Sequence, residues 1–81
     1  MPLRPITVES YAGARADETP RLVTIDGRRL VIVRLLNESV EESLVTNTQT
    51  RRFRVVTAEG RILDILRQSD GAWYLQSELN P

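Results

Sequence analysis

The chain has 81 residues, of which 41% are hydrophobic and 27% are charged, and its eleven arginines balance eleven carboxylates to a formal net charge of zero. This length suits one domain, near the lower limit for burying a core without a disulfide or a metal. Cysteine and histidine are absent, which excludes disulfides, thiolate or imidazole metal sites, and catalysis by either residue type. We therefore expect no cofactor, and the balanced charge predicts no strong nonspecific attraction to nucleic acid.

The first residues, MPLRPITV, contain no long apolar run. We therefore expect no signal peptide, no membrane association and a cytoplasmic location. The sequence also lacks internal repeats, low-complexity tracts and linkers, which predicts a single domain over residues 1–81.

The chain begins with a predicted strand over Arg4–Ser10, because Ile6 and Val8 alternate with polar neighbours. Pro5, close to its start, predicts that this strand lies at a sheet edge. The next segment, Ala12–Pro20, has no periodicity and predicts a long loop. A small-molecule pocket beside that loop, at the mouth of a barrel, is a third and more distant functional hypothesis.

Asp26 and Gly27 separate two apolar runs, RLVTI and RRLVIVRLL. This dipeptide predicts a type I′ hairpin turn, in which Ile25 faces Arg28 and Val23 faces Leu30. Alternation then assigns two apolar faces to the hairpin. The first face carries Val23, Ile25, Leu30 and Ile32, and the second carries Leu22, Val31, Val33 and Leu35.

The following segment, NESVEESLVTNTQT over residues 37–50, allows two interpretations. Ser39 and Glu42 have the spacing of a capping box, which favours a helical turn over Val40–Val45. Three glutamates among several Ser and Thr residues equally favour an extended acidic loop, since such short helices are marginal in isolation.

Three further strands are predicted between Arg51 and Gln76, separated by turns at Glu59-Gly60 and at Ser69-Asp70-Gly71. With a two-residue first turn, Val56 faces Leu63 and Arg54 faces Ile65. With a three-residue second turn, the register continues across to the last strand. One predicted face then carries Val56, Leu63, Ile65, Trp73 and Leu75, fringed by Arg52, Arg54 and Arg67; the other carries Phe53, Val55, Ile62, Asp64, Leu66 and Tyr74. Together these elements predict an all-β fold of five to six strands, either a small SH3-like barrel or a strongly curled antiparallel meander.

Two functional hypotheses follow from these faces. The second apolar face, with Leu22, Val31, Val33 and Leu35, predicts a non-enzymatic protein-interaction module that forms a homodimer or binds a larger protein, unless curvature and residues 37–50 cover it. The alternative is a nucleic-acid-binding barrel that uses Arg52, Arg54, Arg67 and Trp73 within a wider basic and aromatic cluster. We expect no enzyme. Burial of Asp64 would raise the pKa of its carboxyl group, as in a general acid or base, yet no second catalytic group accompanies it, and Arg54 is within reach as an ion-pair partner.

The stretches TIDGRRLVIVRLL, RRFRVVTAEGRILDILR and GAWYL, within Arg21–Leu75, carry a family resemblance. They are similar to a family of short bacterial domains of unknown function, which occur alone or at the C-terminus of proteins similar to Y-family translesion polymerases. The resemblance implies a compact β-domain and a setting in DNA metabolism. It implies no catalytic residues.

Overall fold

Six antiparallel strands account for the secondary structure of residues 3–10 and 19–79, which are the residues described by the computed structural model. They are β1 (Arg4–Ser10), β2 (Pro20–Ile25), β3 (Arg28–Ser43), β4 (Thr48–Thr57), β5 (Ile62–Gln68) and β6 (Trp73–Leu79). Each strand pairs with the next one in the chain, and β6 pairs with β1 to close a barrel. The prediction of a small all-β barrel is therefore confirmed.

Most of the predicted loop at 12–20, and with it the hypothetical pocket beside that loop, lies outside the described residues. Its last residue, Pro20, is the first residue of β2. In the described ranges, no helix has the length and hydrophobicity needed to cross a lipid bilayer.

The β2–β3 hairpin has the predicted turn and register. Asp26 and Gly27 have φ angles of 52° and 77°, as both central residues of a type I′ turn require. Ile25 faces Arg28 and Val23 faces Leu30. The first of the two predicted apolar faces is buried: Val23, Ile25, Leu30 and Ile32 are each at most 7% exposed.

The β4–β5 hairpin differs from the prediction by one residue. Its loop contains three residues, 58–60, because the Thr57 amide donates a hydrogen bond to the Arg61 carbonyl at 2.9 Å. Gly60 ends the loop with a φ of 87°, which glycine adopts without strain. Val56 accordingly faces Ile62, not Leu63.

This slip exchanges the two faces of β4, since a shift of one residue moves every side chain to the opposite side of a strand. Phe53 and Val55 face Ile65 and Leu63, and all four are at most 1% exposed. The physical reason is burial, because the longer loop places both apolar β4 side chains against the core side of β5.

The β5–β6 hairpin follows the prediction, with Ile65 opposite Leu75 and Arg67 opposite Trp73. Its three-residue turn is closed by a hydrogen bond from the Gln68 amide to the Ala72 carbonyl at 2.9 Å. One hydrophobic core results. Its buried members are Val23, Ile25, Leu30, Ile32, Phe53, Val55, Leu63, Ile65 and Leu75, and Ile6, Val8 and Trp73 pack against them.

The segment expected to be a helical turn or an acidic loop is a β-hairpin, so both interpretations of residues 37–50 are wrong. Strand β3 continues to Ser43, residues 44–47 form the turn, and β4 begins at Thr48. Leu44 and Val45 are 94% and 96% exposed, so a helical turn there would have gained no burial. Pairing with β4 instead satisfies the backbone, and Asn47 completes the turn with a φ of 53°.

Strand β1 is not an edge strand, contrary to the expectation from Pro5. It pairs with β2 through residues 7–10 and with β6 through residues 4–6. Pro5 lies in the part that has a neighbour only in β6, which is the strand environment that proline tolerates. The β1–β6 pairing that closes the barrel is called the seam below. Among the described residues it contains three residue pairs: Arg4 with Leu75, Pro5 with Tyr74 and Ile6 with Trp73.

Candidate functional site

The four residues predicted to bind nucleic acid do not share one surface. Arg52 and Arg54 flank Phe53, whose side chain is buried in the core, so alternation directs both arginines to the outside of the barrel. Arg67 and Trp73 face each other on the side of the sheet that carries the core. The one-residue slip at the β4–β5 turn therefore separates the predicted cluster into two pairs.

Most arginines in the described ranges are also paired with carboxylates. Arg54 binds Asp64 through two hydrogen bonds, of 2.8 and 3.0 Å, and Arg52 lies 3.3 Å from Glu41. Further ion pairs join Arg4 to Asp26, Arg28 to Glu59, Arg29 to Glu9, Arg51 to Glu38 and Arg61 to Glu78. Among the described residues, Arg21 and Arg34 have no carboxylate partner. The pairing cancels local charge, so these arginines do not create a basic groove.

Sequence reasoning missed an aromatic cluster, which Phe53 of β4 forms with Trp73 of β6 and Arg51. The Phe53 and Trp73 rings have their centroids 5.5 Å apart, and the Arg51 guanidinium lies 5.4 Å from the Phe53 centroid. The sequence does indicate the contact between Arg51 and Phe53, since residues 51 and 53 lie on the same side of a strand. Trp73 therefore packs against the core. This packing covers part of the ring that the nucleic-acid hypothesis needs for stacking on a base.

Asp64 is a structural ion-pair partner. Its side chain faces Arg54 on β4 and Ser77 on β6, and the residue is 8% exposed. The hydrogen bonds from Arg54 lower the pKa of the Asp64 carboxyl group below its ordinary value, and this outweighs the opposite effect of burial; the Ser77 hydroxyl, at 3.4 Å, adds a smaller stabilisation of the anion. The direction is opposite to the raised pKa that a general acid at neutral pH would need.

Metal chemistry has no support from the described residues, which contain no group of three or more carboxylates arranged to hold an ion. An open cleft of about 300 Å³ follows the seam between β1 and β6, with Pro5, Ile6, Trp73 and Tyr74 in its wall. Among the described residues, no arginine or carboxylate lines this cleft, so these residues offer no convergent charged groups for catalysis.

The predicted interaction residues lie on or beside β3. Leu22 on β2 is half-buried and faces Val31, which is 52% exposed; Val33 is 61% exposed and Leu35 is 38% exposed. Irregularities in the β3–β4 pairing leave Val33 and Leu36 as extra residues, and Leu35 faces Val55. Leu35 therefore lies on the core side of the sheet, which corrects its predicted face.

Four exposed apolar side chains nevertheless follow one another along this strand. Val31, Val33 and Leu35 are joined by Leu36, which is 44% exposed. We call these four residues the β3 apolar surface. Sequence reasoning missed Leu36, because simple alternation does not allow for the bulge that exposes it.

The same strand has an unpaired edge in the described part of the chain. Strand β2 pairs with β3 only as far as Val31, whereas β4 pairs with β3 as far as Ser43. Residues Arg34–Ser43 consequently have one strand neighbour among residues 3–10 and 19–79. We call this segment the β3 edge.

Comparison with protein-family models, with curated proteins and with solved structures finds no match for this chain. The resemblance to the short bacterial β-domains stays a prediction.

Proposed function

We propose that this domain is a non-enzymatic protein-interaction module that binds its partner through the β3 apolar surface. The observation that carries the proposal is the exposure of four apolar side chains along β3. Val31, Val33, Leu35 and Leu36 are 38–61% exposed. Exposed apolar groups cost free energy in water, and their concentration along one strand favours a binding surface.

The barrel core does not need these side chains. Nine buried residues form one cluster inside the barrel, and none of the four belongs to it. Curvature of the sheet and residues 37–50 were the two structural explanations for the second apolar face. The 37–50 hairpin continues the β3–β4 pairing and leaves the β3 apolar surface exposed, which supports the proposal that a partner covers it.

A photo-crosslinking residue at position 33 tests this proposal in the cells that naturally make the protein. We expect irradiation to produce a discrete crosslinked species, because Val33 has the largest exposed fraction of the four side chains. The matched control places the same residue at Thr7, an exposed polar position on β1, where no such species should form. The proposal fails if position 33 gives no species beyond those of the control.

Nucleic-acid binding in a DNA-metabolism setting is the alternative, and it has less support. Arg52 and Arg54 lie on the opposite side of the sheet from Arg67 and Trp73, and both are already paired with carboxylates. Affinity for nucleic acid through phosphate contacts would fall as salt rises, since binding releases condensed counterions.

We therefore expect fluorescent single- and double-stranded oligonucleotides to show no salt-sensitive binding when they are titrated with the purified protein. Binding that weakens with salt, and that is lost in Arg52→Ala/Arg54→Ala but retained in Arg28→Ala, would establish the alternative. We propose a cytoplasmic location for this module.

A further inference from the structure

We propose that the partner is a second copy of this chain, and that two copies join their β3 edges as antiparallel strands about a two-fold axis at Glu38. This inference rests on the proposed function, because it names the partner of the same strand. It predicts a symmetric dimer in which one sheet continues from barrel to barrel. The β3 apolar surfaces of the two copies would lie beside this junction.

The first support is the backbone of the β3 edge. Strand β4 satisfies one side of Arg34–Ser43, and the described residues place no strand on the other side. An extended strand with one free side presents a row of N–H and C=O groups that can hydrogen-bond to another strand. The edge is long enough for several such bonds, which would give a symmetric contact its affinity.

The second support is that the β3 edge is complementary to itself. Leu36 is an extra residue in the pairing with β4, and a bulge residue does not take part in a regular ladder. With Leu36 left out, an antiparallel two-fold through Glu38 places Arg34 opposite Glu41 of the second copy. It also places Leu35 opposite Val40, and each of these contacts occurs twice.

In this arrangement, the two residues of each facing pair lie on the same side of the sheet. Arg34 and Glu41 face Val56 and Thr50 of β4. Val56 and Thr50 lie on the same side of β4 because their positions differ by an even number.

The second pair agrees as well. Leu35 and Val40 face Val55 and Arg51, which share the opposite side. Antiparallel strands require each facing pair to lie on one side of the sheet. The bulge at Leu36 is therefore what makes the edge self-complementary.

Charge gives the third support. Arg34 has no carboxylate partner in the described ranges, and Glu41 of the second copy, which also lies 3.3 Å from Arg52 of its own chain, would supply one. At the axis two Glu38 carboxylates would approach each other, which alone would be repulsive. Each is already paired with Arg51 of its own chain, so the centre of the junction contains two positive and two negative groups.

Sedimentation of the purified protein over a range of concentrations tests the inference. We expect a monomer–dimer equilibrium, and we expect Arg34→Glu to raise the dimer dissociation constant at least tenfold by placing a glutamate opposite Glu41. Arg34→Glu/Glu41→Arg should restore dimer formation. Arg21→Glu is the matched control, because Arg21 is the other described arginine without a described carboxylate partner, and it should leave the dissociation constant unchanged.

A single cysteine gives an independent readout, because the chain has none of its own. Glu38→Cys should form a disulfide-linked dimer under mild oxidation, since the axis places position 38 opposite itself. Thr7→Cys should form no disulfide-linked dimer under the same conditions, because β1 lies outside the proposed junction. Circular dichroism of each variant confirms that the barrel is retained.

The outcomes separate this inference from the proposed function. A protein that is monomeric at all concentrations, yet crosslinks from position 33 to a different protein, overturns the dimer and leaves the interaction module standing. A monomer without any species specific to position 33 overturns both. A dimer that Arg34→Glu does not weaken overturns the edge-to-edge register.

Discussion

Phe53→Ala is expected to lower the free energy of unfolding by about 3–5 kcal/mol, the usual cost of removing a buried phenylalanine ring. Phe53 is 1% exposed and belongs to the core cluster. Its ring also contacts Trp73 and the Arg51 guanidinium, so alanine would leave a cavity between the core and the start of the long β3–β4 hairpin. Since small domains are stable by about 5–15 kcal/mol, much of the protein would unfold at moderate urea concentration.

Urea denaturation followed by tryptophan fluorescence measures this effect directly, because Trp73 is the one tryptophan of the chain and lies against Phe53. Val33→Ala is the control, and its cost should stay below about 0.5 kcal/mol because Val33 is exposed. Equal effects of the two substitutions would contradict the β4 register. They would favour the two-residue turn, which places Phe53 on the other face.

Asp64→Asn is expected to destabilise the fold by about 1.5–3 kcal/mol near neutral pH, the range for hydrogen bonds to charged groups. The substitution removes the carboxylate that accepts two hydrogen bonds from Arg54 and a longer one from Ser77. Asparagine has a similar shape, so packing is largely retained. The loss of stability therefore measures the contribution of the ion pair. Glu9→Gln, in an exposed ion pair of 3.4 Å, should have a much smaller effect.

The effect of Asp64→Asn should depend on pH. The folded protein lowers the pKa of Asp64 below the ordinary value of 3.8, so the ionised carboxylate stabilises the fold above that value. This contribution is lost as the pH falls through the lower pKa of the folded state. The difference between wild type and Asp64→Asn should therefore be constant from pH 5 to pH 7 and shrink below about pH 4.

Chemical denaturation at a series of pH values measures this difference. A gap between wild type and Asp64→Asn that persists unchanged at about pH 2 would show that Asp64 acts through packing or a neutral hydrogen bond.

The parts of the fold that the sequence predicts correctly depend on local turn chemistry. Asp26-Gly27 has one low-energy hairpin turn, so its register follows from the dipeptide alone. The Ser69–Gly71 turn similarly aligns β5 with β6. In both hairpins the apolar alternation of the flanking strands agrees with the turn, and the facing residues Val23 and Leu30 are buried together.

The length of the β4–β5 turn does not follow from local turn chemistry in the same way. Glycine at position 60 ends both a two-residue and a three-residue loop, and both registers leave apolar side chains on each face of β4. Burial of Phe53 against β5 decides between them, and this is a tertiary contact. The error then passes to the candidate site, because the face of Arg52 and Arg54 depends entirely on that register.

The long β3–β4 hairpin shows a different limit. Its outer part has few apolar residues, so the periodicity that identifies strands is weak there. What stabilises it is pairing between residues far apart in the chain, such as Glu38 with Arg51 and Glu42 with Gln49. Neither partner indicates a strand by itself. The β3 edge, which carries the dimer proposal, is hidden from sequence reasoning for the same reason.

The seam between β1 and β6 differs from the other strand pairs of the barrel in how far apart its residues lie in the chain. Every other strand pair is a connection between neighbours in the chain, whereas the seam joins Arg4–Ile6 to Trp73–Leu75, at opposite ends of the sequence. Closing so large a loop costs conformational entropy, and the described residues contribute three pairs to offset it. We therefore expect the curled sheet to form before it closes, and local opening of the native state to begin where the first and last strands meet.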